Sequence, residues 1–228
     1  DPSFDTALTI VNGDVLGGSS LLQHCQGKVA IETMNAIPVD LAVLGNHEFD
    51  YGDEVLKQRL NESTFDWLGS NVYYHDEEGR LGFFPGVLGN GIIHTVGVVK
   101  LGFFGLVTKS TPKISSPSAN VVFDADILSV ARKTASSLRS RGANVIIAIT
   151  HMSEEEDKLL ASDKIAGVNL VLGGHEHESL AVMVHRDEEQ EDVRDEQNDG
   201  GVLVYKCGMN CYWVGCVDLD IAHSENET

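Results

Sequence analysis

The 228-residue sequence predicts one α/β domain, residues 1–228, in which helices cover a sandwich of two mixed β-sheets. Two observations predict this fold class. Short, continuously apolar segments such as Leu41–Leu44 alternate with longer segments whose apolar residues recur every three or four positions, and these are the patterns of buried strands and amphipathic helices. In addition, 92–98 and 101–107 are strand-like segments joined by a short turn, which indicates a hairpin and therefore an antiparallel region.

Each helix is predicted from its apolar spacing and from signals at its ends. The helix 19–37 ends before Pro38, and a Ser-x-x-Glu capping box at Ser153 begins the helix 153–163. The predicted helices are 19–37, 53–60, 126–142 and 153–163, and the predicted strands are 7–11, 41–44, 67–72, 92–98, 101–107, 145–149, 168–172, 202–205 and 212–221.

The sequence is strongly acidic, with 35 Asp and Glu residues against 16 Lys and Arg residues and a formal net charge of −19. Such a surface repels nucleic-acid backbones and anionic membranes, so no nucleic-acid polymer is expected as a partner. Much of the excess lies in the run 187–192, which is typical of a solvated loop. No apolar run approaches the ~20 residues needed to span a bilayer. An acidic protein can still act on small phosphate esters if bound cations supply a local positive field.

The cysteines are not candidates for a metal site of their own. The chain has Cys25, Cys207, Cys211 and Cys216, without the CxxC spacing of a zinc knuckle. Buried free thiols are the first expectation for them, and a disulfide is the alternative.

Ligand-type polar residues directly follow four of the predicted strands. Because ligands bind beyond the carboxyl ends of strands in α/β sheets, these loops can converge on one crevice. Carboxylate, carboxamide and imidazole groups together suit divalent zinc, manganese, iron or cobalt, and the neighbouring glycines allow the backbone to fold closely around an ion. The four loops are Asn12-Gly13-Asp14, Gly45-Asn46-His47-Glu48-Phe49-Asp50, His151, and Gly173-Gly174-His175-Glu176-His177.

Taken singly, each of these loops is more typical of a structural role than of a ligand. A Gly-Asp pair or one histidine at a strand end is common in proteins without a metal. The four loops in this order, with Gly-Asn-His-Glu second and Gly-Gly-His-Glu-His last, are much more specific and predict a metal site. The structural alternative is an unrelated α/β domain with scattered histidines.

The ordered motifs resemble those of the calcineurin-like metallophosphoesterases, and within them the 5′-nucleotidase and cyclic-nucleotide phosphodiesterase type. The segments Leu68–Val72 and Gly102–Thr108 support this resemblance, which covers residues 5–222. It implies the metallophosphoesterase fold, a four-layer sandwich of two mixed sheets flanked by helices. It also implies metal-dependent hydrolysis of phosphate esters by a metal-bound hydroxide, with nucleotides as the expected substrates.

The resemblance implies a role for individual residues. Asp14 would bridge two divalent ions, and His177 would serve the first of them. His47 would stabilise the transition state and protonate the leaving oxygen, while Asp50 would orient and polarise His47. The protein ligands of the second ion would be Asp14, Asn46, His151 and His175.

The chain departs from the family pattern at both ends. The Asp-x-His motif that opens the family does not occur in the 13 residues before Asp14. The expected domain also lacks the family's C-terminal nucleotide-binding domain. A domain truncated at its N-terminus and lacking its first strand is therefore expected, with one firmly held ion and a weak site made only of Asp14 and His177. The alternative function is a catalytically impaired, single-metal binding or interaction domain. No role is implied for Glu48 and Glu176, for which solvated positions or positions behind the ligands suffice.

Overall fold

The computed structural model describes residues 6–186 and 201–221. The acidic run 187–192 lies outside the described residues. The helices are α1 (Ser20–Cys25), α2 (Lys28–Ala36), α3 (Asp53–Glu62), α4 (Thr111–Ile114), α5 (Ile127–Ser140) and α6 (Glu154–Ser162), and a short 3₁₀ helix spans His47–Phe49. The strands are β1 (Ile10–Val11), β2 (Leu41–Val43), β3 (Asp66–Leu68), β4 (Val72–His75), β5 (Leu81–Phe83), β6 (Val87–Leu88), β7 (Ile92–Val96), β8 (Val99–Val107), β9 (Val121–Phe123), β10 (Val145–His151), β11 (Leu170–Gly173), β12 (Ser179–Val184) and β13 (Val202–Cys207).

Two sheets form the centre of the fold. The first sheet is parallel, in the order β1-β2-β3-β6, and the second is mixed, in the order β12-β13-β11-β10-β8-β7. In the second sheet β13, β11, β10 and β8 run parallel, whereas β12 and β7 pair antiparallel at the two edges. A third, antiparallel sheet has the order β5-β4-β9. The predicted α/β class is confirmed, with a parallel first sheet where a mixed one was predicted.

The two sheets pack face to face and each carries helices on its other face. Between the sheets, Val43 lies in one buried cluster with Phe103 and Ile147. The outer face of the first sheet packs on α2 and α3, and the outer face of the second sheet packs on α5 and α6. The result is the predicted four-layer order of helix, sheet, sheet and helix.

Both sheets present the carboxyl ends of their strands at the same side of the domain. β10 and β11 are parallel neighbours, with Thr150 opposite Gly173. Asn12 lies directly after β1 and donates from its side-chain amide to the carbonyl oxygen of Leu172, at 2.7 Å. The loops that follow β1, β10 and β11 are therefore adjacent, as the position of the polar residues at the strand ends predicts.

Three predicted elements differ from the structure. The helix 19–37 is divided into α1 and α2, because Gln26 and Gly27 adopt left-handed backbone angles, with φ of 50° and 76°. The predicted strand 67–72 is divided between β3 and β4, which belong to different sheets. The prediction of a strand at 212–221 is wrong, because that apolar segment pairs with no neighbouring strand among the described residues.

The prediction of buried free thiols holds only in part for the four cysteines. All four are free thiols. Cys25 and Cys207 are half-buried, whereas Cys211 and Cys216 are exposed, so the expectation of buried thiols is wrong for the last two. Among the helices of the described residues, none has the length and apolar character needed to cross a bilayer.

Candidate metal centre

Three ligand-type side chains meet where the two sheets present their strand ends. Asp14 follows β1, His151 ends β10 and His175 follows β11. One ligand atom of each of these residues lies within 4.8 Å of the others. Residues separated by more than a hundred positions in the sequence thus form one cluster, of a size that a single divalent ion can occupy.

The backbone at this cluster is strained. Asp14 and His175 have φ of 59° and 75°, in the left-handed region that side chains other than glycine rarely adopt. Each such residue costs on the order of 1–3 kcal/mol, so the surrounding structure must stabilise the conformation. Strain of this kind is typical of residues whose side chains are aimed at a ligand.

A buried carboxylate, Glu48, holds the loop that carries Asp14. Glu48 is only 1% exposed. Its Oε2 accepts hydrogen bonds from the backbone N–H groups of Asp14, at 2.8 Å, and of Gly45. Its Oε1 accepts from the N–H groups of Val15, at 2.7 Å, and of Leu16, at 3.2 Å. The side chain therefore joins the loops after β1 and β2, and it is not solvated.

The close approach of these loops requires glycine at two positions. A Cβ atom at Gly45 would overlap the Asp14 carboxylate, and one at Gly174 would overlap the carbonyl oxygen of Asn12. The glycines predicted beside the ligands therefore have a steric reason. They allow the three ligand loops to come into contact.

His151 has the arrangement expected of a metal-binding imidazole. It is buried, and its Nδ1 lies 2.6 Å from the carbonyl oxygen of Asn12, so in the neutral ring Nδ1–H donates to that oxygen and Nε2 carries the lone pair. Nε2 lies 2.9 Å from Asp14 Oδ2 without hydrogen-bond geometry. Burial acts to lower the pKa of His151, but the Asp14 carboxylate raises it overall.

The carboxylates and imidazoles of the site shift one another's pKa values. Burial raises the pKa of Glu48, and the charge of nearby Asp14 raises it further. Burial would also raise the pKa of Asp14, but His151 and the backbone N–H of His47 lower it overall. Burial and the neighbouring His151 lower the pKa of His175, which favours its neutral, ligating form. A bound cation would offset the two adjacent carboxylates.

Asn46 and His151 leave buried polar atoms unpartnered. Asn46 is 4% exposed, and its side-chain Oδ1 has no hydrogen-bond partner within the described structure. Nε2 of His151 is also buried and has no hydrogen-bond partner within the described structure. Buried polar groups are almost always paired, so these two orphaned atoms, of which His151 Nε2 lies beside the Asp14 carboxylate, indicate that the described residues fit a divalent ion.

His47 lies beside the cluster with a different set of partners. Its backbone N–H donates to Asp14 Oδ1 at 2.8 Å, and its Nδ1 lies 2.6 Å from Asp50 Oδ2. Ser115 donates to the other oxygen of Asp50 at 2.7 Å. Burial acts to lower the pKa of His47, but the hydrogen bond with Asp50 raises it overall. The ring lines an open cavity of about 570 Å³ that also includes Gln23 and Tyr51.

The remaining predicted ligand, His177, is not part of the cluster. Among the described residues the cluster consists of Asp14, His151 and His175, while the side chain of His177 is exposed. The roles of Asp14 as a bridge and of His177 as a ligand therefore stay predictions. The sequence analysis also left Glu48 without a role, although a glutamate within a motif of candidate site residues, between His47 and Asp50, is a signal for such a residue.

The fold and the site define the class of protein. A four-layer α/β sandwich with carboxylate and imidazole ligands at its strand ends is the architecture of a metallophosphoesterase. The sequence profile of the calcineurin-like phosphoesterase family matches residues 2–179, and the chain belongs to this family. The resemblance found in the motifs is thereby confirmed.

Known relatives cover much of this chain, whereas the chain covers a smaller part of them. It is 35% identical to the 5′-nucleotidase of Bos taurus over 170 residues, which are 74% of this chain and 29% of that protein. A 5′-nucleotidase precursor from Thermus thermophilus is 27% identical, with a TM-score of 0.70, and the match covers 87% of this chain and 38% of that chain. The NAD nucleotidase NadN of Haemophilus influenzae, at 23% identity and a TM-score of 0.77, shares the fold over 91% of this chain and 37% of its own.

Replacement of Glu48 tests its function as the link between the ligand loops. We expect Glu48→Ala to lower the free energy of unfolding by about 3 kcal/mol, because buried backbone N–H groups lose their acceptor. Glu48→Gln should lower it less, since an amide oxygen can still accept. Urea denaturation measures both changes. The control is Glu155→Ala at an exposed position, for which a change within about 0.5 kcal/mol is expected. Equal midpoints for Glu48→Ala and the control would contradict the assigned function.

Proposed function

We propose that this chain is the metal-binding catalytic domain of a phosphoesterase that hydrolyses phosphate esters, with nucleotides as its substrates. The observation that carries the proposal is the position of the His47–Asp50 pair directly against the Asp14–His151–His175 cluster. Hydrolysis of a phosphate ester needs a proton donor for the leaving oxygen next to a cation that neutralises the phosphoryl group. Membership in the calcineurin-like phosphoesterase family supports this reading.

The residues that would hold the ion are Asp14, Asn46, His151 and His175. One carboxylate, one carboxamide and two imidazoles suit zinc, manganese, iron or cobalt. When bound, a divalent ion supplies positive charge to the phosphoryl oxygens and lowers the pKa of a water molecule, so that water can attack at neutral pH. Asp14 would also contact the other ion of the family site, for which His177 would be a further ligand.

His47 acts as the proton donor in this proposal. Because Asp50 occupies Nδ1, the proton available to a substrate lies on Nε2. Burial acts to lower the pKa of His47, but the hydrogen bond with Asp50 raises it overall, which favours the protonated ring. Nε2–H can then pass its proton to the leaving oxygen as the ester bond breaks. The hydroxyl of Ser115 holds Asp50 in the orientation that this requires.

The cavity beside His47 suits an uncharged, polar leaving group. Its lining residues include serines, Gln23 and Tyr51, and none of them is a lysine or arginine. A nucleoside has this chemistry, whereas a leaving group with further phosphates would need cations. The 5′-nucleotidase names of the relatives from Bos taurus and Homo sapiens also support a nucleotide substrate.

A second candidate function is a domain that binds a single ion without catalysis. The observation that favours it is the composition of the cluster, which in the described part of the chain consists of three side chains and excludes the exposed His177. Such a domain would keep the fold and one ion site. It would not turn over phosphate esters.

The number of bound ions distinguishes a firm site from a weak one. We expect one Mn²⁺ ion to bind much more tightly than any other, because four protein ligands are proposed for the position at His151 and His175 and only two for the position at His177. Isothermal titration calorimetry with elemental analysis measures the stoichiometry. Two ions bound with equal affinity would contradict this assignment of ligands.

The histidines of the site should separate into ligands and a proton donor. We expect His47→Asn to lower kcat for release of phosphate from a nucleoside monophosphate by about 10²–10⁴-fold while Mn²⁺ content is unchanged. His175→Asn should instead weaken Mn²⁺ binding. His24→Asn, at an exposed position, is the control and should alter neither quantity. Loss of Mn²⁺ from His47→Asn would contradict the assignment of His47 as a proton donor that does not bind the ion. If neither the native chain nor any variant releases phosphate, the result would favour the domain that binds a single ion without catalysis.

The pH profile tests the contact between His47 and Asp50. A proton donor is active below its pKa, so activity falls as the pH rises through the pKa of His47. Asp50 raises that pKa, and Asp50→Asn should therefore move the basic limb of kcat toward lower pH. A limb that moves toward higher pH would contradict the assignment of His47 as the acid.

A further inference from the structure

Lys206 on β13 is a buried lysine that the proposed reaction does not use. Its side chain is 1% exposed, which is rare for a residue that usually keeps its ammonium group in water. The group Nζ lies within 2.8 Å of four oxygen atoms. These are the backbone carbonyl oxygens of Met152 and Gly174, Oε2 of Glu176 and Oδ2 of Asp157.

Two of these oxygens belong to residues next to the candidate ligands. Met152 follows His151 and accepts at 2.7 Å, and Gly174 precedes His175 and accepts at 2.8 Å. One ammonium group thus joins the loops after β10 and β11. Glu176 connects the same two loops a second time. Its Oε1 accepts from the backbone N–H of Glu154 at 2.8 Å, while its Oε2 accepts from Lys206.

The buried pair of Lys206 and Asp157 carries a desolvation cost. Asp157 is fully buried, and its carboxylate oxygens lack hydrogen-bond geometry despite the 2.8 Å contact with Lys206. Burial raises the pKa of Asp157 to about 6 in spite of the neighbouring ammonium group. Desolvation therefore outweighs the attraction within the pair, and apolar residues in place of such a pair are often as stable or more stable. The hydrogen bonds of Lys206 have another consequence, because they hold the loops that carry His151 and His175 next to each other.

We propose that Lys206 is a positioning residue of the metal centre, whose ammonium group fixes the separation and orientation of His151 and His175. The proposal rests on the proposed ion site. His175 in particular needs such support, because its backbone is in the left-handed region. Without the bond from Lys206 to Gly174, the loop can relax and the two imidazoles no longer meet around one ion.

A pair of variants separates positioning from stability. Lys206→Met alone leaves Asp157 buried without a counter-charge and should lower the melting temperature. In Lys206→Met/Asp157→Leu both charges are removed, so the melting temperature should recover, while the affinity for Mn²⁺ should stay about 10–100-fold below that of the native chain. Asp157→Asn, which keeps Lys206 and its carbonyl contacts, is the matched control and should bind Mn²⁺ as the native chain does.

Two measurements complete the experiment. Electron paramagnetic resonance of free Mn²⁺ gives the affinities, and the visible absorption bands of bound Co²⁺ report the ligand geometry, which should change in the double variant and not in the control. If the double variant does not fold, Lys206→Gln/Asp157→Asn is measured in the same way, with a smaller loss of affinity expected because one amide donor remains.

The outcomes distinguish two kinds of failure. A folded double variant with native Mn²⁺ affinity and a native Co²⁺ spectrum would overturn the positioning role of Lys206 and leave the ion site intact. A native chain that binds neither ion would overturn the proposed metal centre, and the role of Lys206 with it. Native affinity in Lys206→Gln/Asp157→Asn would likewise overturn the positioning role.

Discussion

The candidate site depends on the burial of one carboxylate. Glu48 is shielded from water, so its charge must be balanced by donors inside the protein, and these are backbone N–H groups of the loops after β1 and β2. Asp14 belongs to one of these loops and His47 to the other. The same interaction therefore decides where the Asp14 carboxylate lies and why His47 stands beside it.

In each of the two sheets a buried charge joins the loops that follow neighbouring strands, and the two charges have opposite signs. In the first sheet the carboxylate of Glu48 collects N–H groups, and in the second sheet the ammonium group of Lys206 collects carbonyl oxygens. Each charge joins two loops that follow parallel neighbouring strands. The four-layer packing then brings the two pairs of loops to one side, where Asp14 meets His151 and His175. Rigid strands and charged links together orient ligands more narrowly than either could alone.

The acidic character of the protein is consistent with phosphate chemistry when the charge is considered locally. A net charge of −19 would repel a phosphate ester from most of the surface. At the site, however, Asp14 and Glu48 are adjacent, and their negative charge favours a cation rather than a substrate. The positive field that a phosphate needs would then come from the ion and from protonated His47, and not from lysines or arginines.

The sequence by itself determined the layered α/β class and the order of the ligand-type residues, because apolar spacing and the residues at strand ends are local patterns. It predicted that Asp14, His151 and His175 would meet, since parallel strands place their carboxyl ends on one side. It did not determine which strands pair, so 212–221 was assigned to a strand although no strand in the described part of the chain pairs with it. Only the tertiary structure decided that Glu48 and Lys206 are buried. A charged residue has the same local pattern in water and in the core, and the burial of Glu48 and Lys206 depends mostly on partners 30 to 54 positions away in the chain.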